Sequence, residues 1–227
     1  MSRTSRYNIF IVIPAYNEGA VIKNVIREVK DTGFNQIIVV DDGSTDETFL
    51  HAKKQKVIAL RHILNRGKGA AVKTGIEGAK MLGADIVVTF DGDGQHDPKD
   101  ISKLLAEIRK NHDVVLGSRF LKKNKIPWFK VVANFVGNFF TWLIYGIWVS
   151  DSQSGFRAYS KRALRLIDTT HDRYEYDSEI IREIARHSLK YTEIPIKVRY
   201  TSYSMSKIHK QSFVNGIKTV VRMIISS

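Results

Sequence analysis

Three short apolar runs, each cut off by a cluster of acidic and small polar residues, constrain this chain most. Residues 9–13 run into Pro14-Ala15-Tyr16-Asn17-Glu18, residues 37–40 into Asp41-Asp42-Gly43-Ser44-Thr45-Asp46, and residues 86–90 into Asp91-Gly92-Asp93-Gly94-Gln95-His96-Asp97. Unbroken apolar runs of this length read as strands buried on both faces. Residues 57–60 and 114–117 add two more. Between them, Val21, Ile22, Val25, Ile26 and Val29 recur at helical spacing, residues 68–82 form an Ala-rich helical stretch, and residues 98–109 read as a helix opened by Pro98. Strands alternating with helices imply an α/β fold, a mostly parallel twisted sheet flanked by helices on both faces. The C-terminal ends of such strands gather along one edge, at the crevice where ligands bind. After residue 117 the alternation lapses, so the second half is expected to build the other wall of that crevice.

The chemistry of the three clusters differs. Asp91 and Asp93, one residue apart at the end of a buried strand, would be costly as bare anions and call for a cation or strong donors. Hard oxygen ligands on a short turn suit Mg²⁺ or Mn²⁺, whose coordination is commonly completed by substrate phosphates. An EF-hand is excluded, because its sixth position holds His96 rather than Gly and its twelfth holds Ser102 rather than Glu. Tyr16 offers a ring for stacking on a base, and Asp41 or Asp42 can accept an N–H from it. Gly67-Lys68-Gly69 lacks the third Gly of a dinucleotide fingerprint, and Lys73-Thr74 follows Val72 where a P-loop requires Gly.

With 227 residues the chain can bury one full core. Absence of Cys excludes a disulfide framework, a thiol nucleophile and a Cys-based zinc site. The formal charge of +13 is concentrated: residues 119–130 carry Arg119, Lys122, Lys123, Lys125 and Lys130 with no acid, and from residue 186 onward eight cations face only Glu193. Such blocks attract phosphates or anionic lipid. Nucleic acid is a poor candidate, because three acidic clusters at strand ends would repel a phosphate backbone. Residues 131–149 are free of charge and rich in aromatic residues, with Trp142 and Trp148 among them. That length admits a membrane span, but polar motifs lie on both sides of it and must meet at one site. The segment is therefore expected to lie in the membrane interface or on the domain, and residues 211–227 read as a second amphipathic, basic helix of the same kind. The start of the chain lacks the apolar core of a secretion signal, which points to a peripheral protein on the cytoplasmic face of a membrane.

Taken together the motifs resemble an inverting family 2 glycosyltransferase with the GT-A fold, of the branch that includes dolichyl-phosphate mannose and glucose synthases. The resemblance covers residues 8–210. It rests on the three clusters above together with Asn65-Arg66-Gly67-Lys68-Gly69, Gly117-Ser118-Arg119, Ser154-Gly155-Phe156-Arg157 and Ser206-Lys207. It implies a single GT-A domain, with residues 8–117 as the nucleotide-sugar half, 118–210 as the acceptor half and 211–227 as the terminal helix. It implies that Pro14, Tyr16, Glu18, Asp41 and Asp42 hold the nucleotide, that Asp91, Asp93 and Gln95 surround Mg²⁺ or Mn²⁺ on the diphosphate, that Arg119 binds the acceptor phosphate, and that Lys207 sits on a loop closing over the site. Two positions depart from the family pattern: Thr201 stands where an Arg often precedes the loop Lys, and Lys130 stands where a further phosphate-binding Arg is common. Lys supplies charge there but no bidentate fork.

The expected reaction is metal-dependent, inverting transfer of a sugar from a UDP- or GDP-sugar to a polyprenyl phosphate at a membrane surface. A lipid phosphate is largely ionised near neutral pH, its second pKa being about 6, so it can attack without a general base. It needs cations instead, which Arg119, Lys130, Arg157 and Lys207 can supply. Asp93, Arg119 and Asp177 are the candidate catalytic residues, with Asp177 and Glu179 as base or loop anchor. The rival expectation is a related enzyme acting on a soluble or polysaccharide hydroxyl, which would need a base and would have no use for interfacial helices.

Overall fold

A computed structural model describes residues 7–122, 128–173, 175–199 and Tyr203; within the helix spanning residues 128–145, the side chains of residues 128–130, 133 and 140 are not described. Its centre is a seven-stranded sheet formed by β1 (Ile9–Ala15), β2 (Ile37–Asp41), β3 (Ile58–Arg61), β4 (Ile86–Thr89), β5 (Val114–Ser118), β6 (Arg157–Ser160) and β7 (Tyr191–Pro195). The strand order is β3-β2-β1-β4-β6-β5-β7. The pairs β1–β2, β2–β3, β1–β4 and β5–β7 are parallel. β6 runs antiparallel to both β4 and β5. The expected mostly parallel sheet is thus observed, with one strand from the second half of the chain inserted between two from the first.

Alternation along each strand divides the core in two. On one face Ile11, Ile13, Ile37, Val39 and Val88 pack with α1 (Ile22–Asp31) and α4 (Ile101–Arg109) through Ile22, Ile26, Val29, Ile101 and Leu104. On the other, Phe10, Val12, Ile38, Val40 and Val87 meet α3 (Lys68–Met81) and α7 (Glu175–Arg186) through Ala71, Val72, Ala79, Ile180 and Ile184. α3 lies so close to the sheet that a Cβ on Gly75 would collide with Val12, so only glycine fits there. Two shorter helices, α2 (Thr48–Lys54) and α6 (Lys161–Leu166), follow β2 and β6. Because β2 lies on one side of β1 and β4 on the other, the chain switches direction at β1, and a crevice opens at the C-terminal ends of β1 and β4.

α5 (Trp128–Tyr145) occupies most of the uncharged stretch. Its inner stripe is polar: Asn134, Asn138 and Thr141 are buried. Its outer face exposes Val131, Val132, Phe135, Val136, Phe139, Trp142 and Leu143. Among the described residues no helix is long and apolar enough to cross a membrane. Residues 211–227 and Lys207 lie outside the described residues, and Lys130 is described only as a position in α5.

Candidate active site

The loop after β1 and the loop after β2 are stitched into one wall of the crevice. Asn17 has a positive φ of 53°; its N–H donates to Ser44 Oγ at 2.9 Å, and its Oδ1 accepts from the Thr45 N–H at 2.9 Å. The Glu18 N–H donates to Thr48 Oγ1 at 2.8 Å. Tyr16 leaves this wall with its ring 44% exposed, open to a stacking partner. Asp41 and Asp42 are buried. Asp41 accepts from the Ser44 N–H at 3.1 Å, with Arg61 Nε 3.1 Å from its other oxygen. Asp42 accepts from the backbone N–H groups of Arg66 (3.0 Å) and Gly67 (2.7 Å) and meets His62 Nδ1 at 2.7 Å. These bonds use the Asp42 carboxylate to shape residues 62–67. Glu18 is buried and accepts from the Tyr203 hydroxyl at 2.9 Å.

Asp91 and Asp93 emerge directly after β4. Lys68 Nζ, at the first residue of α3, lies 2.8 Å from Asp91 Oδ1, and His96 Nε2 lies 3.0 Å from Oδ2. Burial alone would raise the Asp91 pKa, but Lys68 and His96 outweigh it and hold the carboxyl well below the ordinary range. Burial likewise disfavours charge on Lys68, yet the carboxylates of Asp91 and Asp177 hold its ammonium well above the usual lysine value. Asp93 shifts the other way, raised first by burial and then by repulsion from Asp91. Its Oδ1 accepts from the Gln95 N–H at 2.9 Å. His96 is buried against Phe90 and Phe156, with ring centroids 5.8 and 5.1 Å away. Across the crevice, Gly155 approaches so closely that a Cβ would strike both Lys68 Nζ and Asp91. The Ser154-Gly155 turn therefore closes onto the acidic pair.

Among the described residues no three His, Cys, Asp or Glu side chains converge as a ready metal cluster. The donor set nevertheless fits a divalent ion shared with phosphate. Two hard carboxylates sit on one short turn, and one of them is destabilised as an anion by burial and by the other. Mg²⁺ in particular is bound by one or two carboxylates plus substrate oxygens rather than by an all-protein cage.

On the other wall, Arg119 lies just past β5 and Asp151 is fully buried beside it. Arg119 Nε and Nη2 donate to the two Asp151 oxygens at 2.7 and 2.8 Å, and its backbone N–H adds a third bond at 3.0 Å. Arg157 corrects the sequence reading. It was expected to face the acceptor phosphate, but on β6 it is 1% exposed, with Nη2 bonded to the Ser152 carbonyl at 2.7 Å and 3.0 Å from Asp177 Oδ1. A guanidinium so enclosed faces Asp177 and the Ser152 carbonyl and presents almost no surface to the crevice. Asp177, in the first turn of α7, is thus committed to an ion pair. Glu179 anchors a loop, accepting from the N–H groups of Thr170 (3.0 Å) and His171 (2.9 Å).

The chain beyond β7 reaches back to the acidic turn, α1 and the loop after β1. The Arg199 N–H donates to the Gln95 carbonyl at 2.7 Å, and its guanidinium reaches Glu28 at 2.6 Å and Asp97 at 3.2 Å. The Tyr203 hydroxyl also donates to the Asn17 carbonyl at 3.1 Å. Sequence reasoning gave no role to Lys68, His96, Asp151 or Tyr203. Lys68 and His96 carried a signal, as members of the Asn65–Gly69 and Asp91–Asp97 motifs.

Residues 10–167 match the family described as Glycosyl transferase family 2. An uncharacterized protein of Methanocaldococcus jannaschii is 43% identical over 99% of this chain and 94% of its own length. A UDP-N-acetylglucosamine–dolichyl-phosphate N-acetylglucosaminyltransferase of Methanococcus voltae is 40% identical, with 88% of each chain covered. In fold, the chain is similar to glucosyl-3-phosphoglycerate synthase from Mycobacterium tuberculosis, solved with Mn²⁺, UDP and glucosyl-3-phosphoglycerate. The TM-score is 0.65 at 18% identity, over 95% of this chain and 80% of that one.

Proposed function

Because the chain belongs to glycosyl transferase family 2, we propose that this glycosyltransferase moves a sugar from a nucleoside diphosphate to the phosphate of a polyprenyl lipid at a membrane surface. One observation carries the reading: an arginine fixed at the crevice by a buried carboxylate stands next to the loop held by α5, whose outer face is apolar and aromatic. A phosphate on an apolar tail needs that pairing of cation and apolar surface; a soluble hydroxyl needs neither.

In this reading residues 8–117 supply the donor half and residues 118–210 the acceptor half. Tyr16 and the wall built on Asp41 and Asp42 receive the nucleoside. Asp91 and Asp93, with Gln95, would hold Mg²⁺ or Mn²⁺ on the diphosphate; when bound, the ion offsets the negative charge that builds on the leaving group. Lys68 keeps Asp91 ionised and in place. Arg119, with Lys130 and Lys207, orients the lipid phosphate. An oxygen of that phosphate attacks the anomeric carbon from the face opposite the diphosphate; a new C–O bond forms, the C–O bond to the diphosphate breaks, and configuration inverts. No proton has to be removed from the nucleophile, which agrees with Asp177 being spent on Arg157. α5 rests its outer face in the interface, where Trp142 and Trp148 are suited to lie.

The name of the Methanococcus relative makes UDP-N-acetylglucosamine the first donor to test. A panel of UDP- and GDP-sugars would be incubated with the chain, Mg²⁺ or Mn²⁺, and polyprenyl phosphate in lipid vesicles. The expected product is a polyprenyl phosphosugar from one donor. Transfer to soluble hydroxyl acceptors with none to the lipid would overturn the proposal in favour of the rival class.

A further inference from the structure

We propose that Asp151 is the positioning residue for Arg119, and that α5 holds it in register through Asn134 and Asn138. The helix that meets the lipid then also aims the arginine that binds the lipid's phosphate. The inference rests on the acceptor reading above and adds residues to it.

The geometry is specific. A carboxylate with no exposed surface is costly unless paired, and Asp151 receives three hydrogen bonds from Arg119. Of the five N–H donors of the guanidinium, the fork uses two and so fixes the plane and direction of the rest. The neighbours of Asp151 are pinned in turn. The Ser150 carbonyl accepts from Asn134 Nδ2 at 2.8 Å and from Asn138 Nδ2 at 2.9 Å, and the Ser152 N–H donates to Asn138 Oδ1 at 3.1 Å. From the opposite side Glu193 of β7 accepts from the Ser150 N–H at 2.9 Å, and Ser150 Oγ donates to Ser118 Oγ at 2.6 Å, one residue before Arg119. Asn134 and Asn138 are four residues apart, hence on one face of α5, and both are buried. That polar stripe is out of place on a helix otherwise rich in apolar residues unless it holds something. What it holds is the loop of Asp151.

Steady-state kinetics with the donor found above and a short-chain polyprenyl phosphate in detergent test the idea without a bilayer. Asp151→Asn should raise the KM for the acceptor about tenfold to a hundredfold, the loss expected for a charge-assisted fork, and leave the KM for the nucleotide sugar within about twofold. In an Arg119→Ala background the same change should add nothing, because the residue it positions is gone. Should Asp151→Asn fail to fold, Asn138→Ala decides: it should raise acceptor KM about threefold to tenfold, again with no effect once Arg119 is Ala. A role confined to general stability would instead shift both KM values or kcat and would add to Arg119→Ala; that outcome, or an unchanged acceptor KM in both variants, overturns the proposal while leaving the functional reading intact. Absence of lipid transfer by the unmutated chain overturns the functional reading, and this proposal with it.

Discussion

On the donor side of the crevice Asp41, Asp42 and Asp91 are already bonded to cations or backbone N–H groups of the chain itself, and three loops are stitched together by short bonds. On the acceptor side one buried carboxylate holds one arginine, and the adjoining helix leaves seven large apolar side chains in the open. In the proposed reaction the two walls meet different molecules. A nucleoside diphosphate is small, highly charged and bound in one pose, so preorganised dipoles suit it. A lipid acceptor arrives from an apolar phase, so its wall has to keep apolar surface uncovered and depends on few polar anchors.

The sharpest way to break this contrast is at the acidic turn. Asp93→Asn should lower turnover by at least about a hundredfold, as does loss of a transition-state charge stabiliser, without disturbing the fold; EDTA should do the same, and Mg²⁺ or Mn²⁺ should restore the unmutated chain. Full activity in chelator would remove the metal from the donor wall. Next in size is the other wall. Arg119→Ala should cut efficiency with polyprenyl phosphate about tenfold to a hundredfold, the worth of one charged hydrogen bond, yet spare slow hydrolysis of the nucleotide sugar, measured as free UDP or GDP. Equal loss of both reactions would show that the walls are not separable.

A smaller effect is expected on α5. Phe135→Glu with Trp142→Glu should weaken sedimentation with anionic vesicles about tenfold or more, given a cost of roughly 1.5–3 kcal/mol for each large apolar side chain withheld from burial. Nucleotide affinity by calorimetry should not move; a parallel loss there would mean that α5 supports the fold rather than the membrane contact. The smallest effect concerns stability. The Asp93 pKa is raised in the folded chain, by burial and then by Asp91, so the unfolded chain ionises first and stability is lost as pH rises from about 4. In chelator Asp93→Asn should therefore melt higher than the unmutated chain, with the gap opening above that pH. Added Mg²⁺ should reverse it by stabilising only the unmutated chain. A gap independent of pH would show that Asp93 carries no such penalty.

Much of this site was legible before any coordinates. The expected strands at residues 9–13, 37–40, 57–60, 86–90 and 114–117 correspond to β1 to β5 with ends shifted by no more than two residues, and the three clusters fall where their strands stop. β6 and β7 were not legible. Arg157-Ala158-Tyr159-Ser160 contains a charged residue at a fully buried position, and Tyr191-Thr192-Glu193-Ile194-Pro195 is largely polar and ends in Pro. Neither has the unbroken apolar run that marks a central strand. Both are strands because distant partners, β4 and β5, are waiting for them.

Sequence by itself determined the layered α/β arrangement and the acidic edge, because apolar period and strand-end chemistry are local properties that survive in one dimension. Tertiary structure alone decided which cation each carboxylate received. Nothing local couples Lys68 to Asp91, Arg119 to Asp151 or Arg157 to Asp177. The last two pairs exist because β6 enters antiparallel between β4 and β5 and draws residues 150–157 across the crevice, and the first because α3 begins beside the end of β4. A buried charge takes the partner that the fold brings within about 3 Å, since leaving it unpaired away from water costs several kcal/mol.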